Sequence, residues 1–254
     1  MQTKILFLLT ISLFLAPACT LSKNNAYIKP PIDNFVKVFK EAKIKKCNRK
    51  TKVCEEKTFY STGSGLIIDL IMGETIVLSA GHVCSSDFKF PDDKKFSFSH
   101  QEIILGLDSK GLFHPAHVII SEQQSAKDGT ADLCALFIPT IDYKNIKTRV
   151  RFDPKTPRPG DEVYYLGAPF GVFHPPTVPI FKGIYSGVVS TTSALATFPV
   201  APGSSGGVVL NLSNKIVGVV YAVHPGLNQI SMITNHQKTR EFLIKVKNRF
   251  RAKK

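Results

Sequence analysis

The sequence predicts an all-β protein of two packed six-stranded antiparallel β-barrels followed by a C-terminal α-helix. Short Val- and Ile-rich runs recur in two groups, split near the middle of the chain. The 18 Phe, 17 Gly and 16 Pro fit a β-rich body with tight turns. Beyond residue 235 the apolar spacing turns helical. At 254 residues, with 43% hydrophobic and 20% charged content, the chain has room for one large domain or two packed small ones, and wholesale disorder is excluded.

The amino terminus, residues 1–18, reads as an export signal. Lys4 supplies the positive end, Ile5 to Ala16 the apolar stretch, and Ala16-Pro17-Ala18 the small-x-small cleavage pattern. That stretch is shorter than the roughly 20 residues a membrane span needs. Cys19 follows the expected cut and raises lipid attachment, although Ala16 stands where that motif usually has leucine. Residues 19–34 form a tether whose polar stretch, Cys19 to Pro31, ends in Pro30-Pro31.

The folded body is expected over 35–250. Strand-like runs at Phe35 to Phe39, Gly65 to Ile68, Thr75 to Ser79, Glu102 to Leu107, Ala116 to Ser121 and Leu133 to Ile138 make the first barrel, about 35–150. A Pro/Lys/Arg-rich stretch, Asp153 to Gly160, precedes the second, about 158–233. Its runs are Glu162 to Leu166, Gly183 to Thr191, Gly207 to Leu212, Ile216 to Val223 and Asn228 to Ile233. From 235 to 250, Phe242, Leu243, Val246 and Phe250 repeat at helical spacing among basic residues. An amphipathic helix docked on the second barrel follows.

The net charge of +14 crowds into residues 37–57 and 238–254 and favours anionic surfaces. No zinc-finger, RNP-type or phosphate-loop pattern accompanies it, so nucleic acid is not an expected partner and a solvated face is the simpler reading. A lipidated Cys19 or the basic helix would be the route to a membrane.

Three segments carry chemistry. Pro202-Gly203-Ser204-Ser205-Gly206-Gly207 leads straight into a strand, the setting in which a serine hydroxyl is offered beside backbone N–H groups. Ser205 is favoured over Ser204, because only Ser205 has glycine at −2, +1 and +2. The N–H groups of Gly203 and Ser205 would then hold an oxyanion. A serine hydroxyl needs a base, and His82, at the end of the apolar run Thr75 to Ser79, is expected to supply it. Asp132, opening the strand from Leu133, would fix the imidazole tautomer, with Asp128 as the alternative. The other histidines (His100, His114, His117, His174, His224 and His236) read as surface residues. No ligand set completes His114 and His117, so neither a metal nor another cofactor is expected.

The five cysteines fit this arrangement. Cys47 and Cys54 bracket a polar hairpin tip. Cys84 and Cys134 each lie two residues beyond His82 and Asp132, so if those two meet, their neighbours can bridge. Two disulfides suit an exported protein, with Cys19 left over. Free buried thiols are the alternative.

Ser79-Ala80-Gly81-His82, Ala131-Asp132-Leu133 and Gly203-Ser204-Ser205-Gly206-Gly207 resemble the three signature segments of the trypsin/chymotrypsin superfamily of serine endopeptidases. The nearest likeness is to small bacterial and phage trypsin-like peptidases and the Deg-type (high-temperature-requirement) protease domain, over roughly Phe35 to Ile233. The resemblance implies the double barrel and hydrolysis of a protein or peptide substrate through an acyl-enzyme.

Two positions depart from the trypsin pattern. Ser204 stands where activated trypsins carry an aspartate, so activation through a new N-terminus is not expected. Pro199 stands where trypsins hold the pocket aspartate. With Val200, Val220, Tyr221 and Ala222 it implies an apolar substrate pocket for small or medium P1 side chains. Val219 to Ala222 would pair with the substrate backbone. A non-catalytic binding module on the same fold, docking to anionic envelope or polymer surfaces, is the competing function. An esterase is a weaker alternative, because Val208 to Leu212 continues as a strand rather than a helix.

Overall fold

The computed structural model describes residues 29–85, 92–125, 129–224 and 226–252. The expected export signal, Cys19, most of the tether and the alternative carboxylate Asp128 lie outside the described residues.

The first half contains β1 (Phe35–Asn48), β2 (Cys54–Ile68), β3 (Ile76–Ser79), the one-turn helix α1 (Gly81–Cys84), β4 (Phe96–Asp108), β5 (Phe113–Pro115), β6 (His117–Glu122) and β7 (Leu133–Phe137). The second half contains β8 (Arg151–Phe152), β9 (Glu162–Leu166), β10 (Ile180–Val188), β11 (Ser193–Ala196), β12 (Val208–Asn211), β13 (Lys215–His224), β14 (Leu227–Thr234) and the helix α2 (His236–Arg251).

The second half closes as expected. Its strands run β12-β9-β10-β11-β14-β13, and a β12–β13 pairing completes a six-stranded barrel, with β8 added in parallel along β13. All four residues Val163 to Leu166 of β9 are buried, and strand alternation divides them between two cores. Val163 and Tyr165 fill the barrel with Phe198, Val209, Val220 and Ile233. Tyr164 and Leu166 join the large cluster formed by Phe35, Leu66, Val77, Leu78 and Leu136 of the first half. Each such fully buried aliphatic or aromatic side chain contributes about 1.5–3 kcal/mol, so the interface between the halves is a continuous core.

The first half differs from a closed six-stranded barrel. It is a curled seven-stranded sheet in the order β5-β4-β1-β2-β3-β7-β6, and no pairing among the described residues joins its two ends. Its central strands also run far beyond their apolar segments. β1 stays paired with β2 from Phe35↔Leu66 out to Cys47↔Cys54, and with β4 out to Asn48↔Phe96. The hydrophobic signal stops near Phe39 because no core lies behind the outer part, not because the strand ends. There the ladder is a three-stranded ribbon, with a Cys47–Cys54 disulfide near its tip.

Helix α2 is capped by the Asn235 side chain, which accepts from the Gln237 N–H. Phe242, Leu243 and Val246 are buried, as their spacing requires. The docking is broader than expected: α2 meets β13 of the second half and also β6 and β7 of the first. Phe250 packs edge-on against Phe137, and Lys245 Nζ reaches Glu122 at 2.8 Å. No described helix is long and apolar enough to cross a membrane.

Two histidines expected at the surface are buried. His114 Nδ1 lies 2.8 Å from Thr140 Oγ1, and its Nε2 lies 3.2 Å from Asp108 Oδ2. His236 opens α2, stacks on Phe152 and bonds to the Asp153 carbonyl through Nε2 at 2.9 Å. Polar neighbours in sequence concealed both, because their partners come from other segments.

Candidate active site

The two halves meet at a groove where the chemistry-bearing segments converge. α1 follows β3 directly, and the strand delivers His82 to its end. Gly81 is required there: a Cβ would come within 1.9 Å of the Glu122 carbonyl and 2.6 Å of Asp132 Oδ1. Asp132 grips His82 through both oxygens. Oδ1 accepts from the His82 backbone N–H at 2.9 Å, and Oδ2 lies 2.5 Å from Nδ1. Side-chain exposure is 6% for Asp132 and 45% for His82, so the carboxylate is shielded and the ring remains open to a substrate. Cys84 and Cys134 form a disulfide immediately behind the pair.

Ser205 lies in the loop entering β12. Gly203 and Gly206 adopt left-handed backbone with φ of 96° and 88°, and a Cβ at either would strike backbone. The Ser204 N–H bonds to Ala201 O, the Gly206 N–H to Val220 O and the Gly207 N–H to Ser204 O. Among the described residues, the N–H groups of Gly203 and Ser205 make no such bond. The two expected oxyanion donors are thus the unspent ones in this loop.

The loop that carries Ser205 is held against the first half. Ser64 donates its N–H to Ser205 O at 2.7 Å and its hydroxyl to Gly203 O at 2.8 Å, while its Oγ accepts from the Ala168 N–H. The Ser79 hydroxyl donates to Ser64 O at 2.7 Å. Gly206 packs so closely on Ser79 and Ala80 that a Cβ would meet Ser79 Oγ at 2.2 Å. Ser205 therefore stands beside the segment that carries His82. Its hydroxyl donates to Tyr221 O at 3.4 Å, a long and weak bond. Catalytic hydrogen bonds in unliganded enzymes are often long or misaligned and tighten on substrate binding.

Ser204 makes contacts of a different kind. It is buried, its Oγ accepts from the Ala201 N–H at 3.1 Å, and it lies 3.2 Å from the Tyr165 hydroxyl. Burial pushes the Tyr165 phenol up to about 12, so it remains a neutral donor, and it also bonds Pro199 O at 2.8 Å. The position that is acidic in activated trypsins is here satisfied within its own turn.

A cavity of about 460 Å³ adjoins Ser205, lined by Phe170, Val200, Ala201, Pro202, Ser204, Val220, Ala222 and Val223. No lining residue is charged. Of the expected pocket residues, Val200, Val220 and Ala222 line it; Pro199 and Tyr221 do not. Tyr221 lies at a register shift of β13 between Val220 and Ala222, and its hydroxyl bonds Ser193 Oγ at 2.7 Å. Pro199 precedes the lining turn and is exposed.

Sequence reasoning passed over three residues here. Ser64 lies in Gly63-Ser64-Gly65, which repeats the glycine-flanked serine pattern of the nucleophile loop. Lys40 is buried, donates to the His82 carbonyl at 3.0 Å, and has its pKa lowered by burial against the opposing charge of Glu102. Its parity with Val36, Val38 and Ala42 marks it as inward-facing. Phe170, with φ of 51°, donates its N–H to Pro202 O at 2.6 Å and projects over the cavity.

Comparison with known proteins matches residues 63–219 to a family model described as the trypsin-like peptidase domain. Comparison with curated proteins finds no match. Among solved structures, the active form of the Rv3671c protease from M. tuberculosis is 14% identical with a TM-score of 0.57, over 88% of this chain and 87% of that one. The serine endoprotease from Yersinia pestis is 18% identical with a TM-score of 0.56, over 87% of this chain and 65% of that one.

Proposed function

The chain belongs to the trypsin-like peptidase family, and from that premise we propose an exported serine endopeptidase that uses His82, Asp132 and Ser205 and prefers apolar P1 residues. The observation that carries this reading is the two-point grip of Asp132 on His82, next to the loop that presents Ser205.

Asp132 holds the Nδ1 proton, leaving Nε2 of the neutral ring to accept the Ser205 proton. The serine oxygen attacks the scissile carbonyl, and the negative charge moves onto its oxygen. The free N–H groups of Gly203 and Ser205 receive that charge, each worth about 3–4 kcal/mol in the transition state. Collapse breaks the peptide bond while the imidazolium returns its proton to the leaving amine. Water, deprotonated by the same ring, then hydrolyses the acyl-enzyme.

The uncharged cavity supports apolar P1 side chains and offers no partner for Lys or Arg. Two disulfides support an oxidising compartment and hence export. Peptides differing only at P1 test the specificity. Ala, Val and Leu should be cleaved at least tenfold faster than Arg in kcat/KM, with no hydrolysis by Ser205→Ala. A strong Arg preference would overturn the pocket assignment.

A further inference from the structure

The outer part of β2 has one partner strand. From Cys54 to Gly65 it is paired with β1, and β3 joins its other edge only over Leu66–Ile68. The orientation of that free edge follows from Ser64. Its N–H bonds Ser205 O and its carbonyl accepts from Ser79, so both groups point away from β1. The ladder has no bulge, and alternate residues share an orientation. Thr62, Tyr60, Thr58 and Glu56 therefore present their N–H and C=O groups outward, and no described strand pairs with them. Cys54 to Thr62 are exposed throughout.

Long open edges invite strand addition, and soluble proteins usually cover or shorten them. This one starts at the residue bonded to Ser205 O and runs on for about 20 Å at strand rise. Its own side chains from Cys54 to Thr62 include two acids, Glu55 and Glu56, against Lys57, so charge does not select the occupant.

We propose that this edge is a docking track for the primed side of the substrate, which adds to β2 as an extended strand well beyond the barrel. The proposal rests on the protease reading above. Continuity with the loop that carries Ser205 identifies the occupant as substrate chain. Main-chain hydrogen bonds supply the affinity.

Ser205→Ala protein in its oxidised form allows binding to be read without turnover. Fluorescence anisotropy would compare a labelled peptide covering P4 to P2′, the same peptide extended to P8′, and the extended peptide N-methylated at alternate primed positions. The extended peptide should bind about tenfold more tightly, and N-methylation should remove the gain. Thr58→Pro, which deletes one outward donor, should shrink the ratio between the long and short peptides. Equal affinity of long and short peptides would overturn the proposal, as would light scattering that finds the edge occupied by a second copy of the chain. Organophosphorus labelling of the unmutated protein reports separately on the protease reading: labelling together with equal affinities would remove the docking track alone.

Discussion

The two halves of the site are held by different means. On the first half, His82 and Asp132 are fixed by a buried carboxylate, two hydrogen bonds and the Cys84–Cys134 crosslink. On the second, Ser205 sits in a glycine loop whose position depends on backbone bonds to Ser64, and its hydroxyl has only a weak bond to Tyr221 O. In the proposed mechanism base and orienter are preassembled, while the proposed nucleophile is positioned but unengaged, and contact between His82 and Ser205 would form with substrate.

The comparison breaks most sharply at the proposed reacting groups. Ser205→Ala or His82→Ala should each lower kcat by on the order of 10⁶-fold, since members of such a unit fail together. Asp132→Asn should cost about 10⁴-fold, because the wrong tautomer of His82 is then favoured. Ser204→Ala should leave turnover within about tenfold of the original and act mainly on stability, by freeing the part-buried Ala201 N–H. Steady-state kinetics on protein of verified fold separates the two serines.

At the oxyanion loop, Gly203→Ala should reduce kcat by about 10²–10³-fold. The added Cβ meets Ala168 O at 2.4 Å and forces the peptide out of position.

The crosslinks sharpen the contrast in stability. Replacing Cys84 and Cys134 together by serine should cost about 2–5 kcal/mol in urea unfolding. Replacing Cys47 and Cys54 should cost less, because that bridge closes a separation of 7 residues rather than 50. Equal losses would mean that the ribbon supports the core more than its exposure implies.

Ser64→Ala tests the tether between the halves. It leaves the Ala168 N–H and Gly203 O without their side-chain partner, at about 1–3 kcal/mol. It should lower kcat roughly tenfold with little change in KM, as a positioning residue for the Gly203 donor would.

The smallest effect is pH-dependent. Burial lowers the His236 pKa below its usual value, with the bond to Asp153 O opposing. A base with a depressed folded pKa contributes stability that is complete above the unfolded value near 6.5. That contribution is lost as pH falls through the folded value. The melting temperature should therefore drop between pH 7 and 5, and by less in His236→Gln.

Legibility in sequence divided along the same line. The site segments could be read because their chemistry needs local context: small residues before His82, a strand after Asp132, glycines around Ser205. The disulfide behind His82 and Asp132 followed from two matching offsets. What escaped depended on partners distant in sequence. The outer part of β1 was hidden because its lysines break the apolar pattern while its backbone stays paired. His114 and His236 looked solvent-facing until Asp108, Thr140 and Asp153 were brought to them. Tyr221 neighbours two cavity residues in sequence, but the register shift of β13 at that point and the bond to Ser193 hold its side chain elsewhere.

The central claim is that His82 activates Ser205 when the groove is occupied. Intact-mass and peptide mapping after treatment with an organophosphorus probe tests it directly. The account predicts a single adduct on Ser205, absent in Ser205→Ala and nearly absent in His82→Ala. Folded, oxidised protein that takes no label, or that takes it on Ser204, would contradict it.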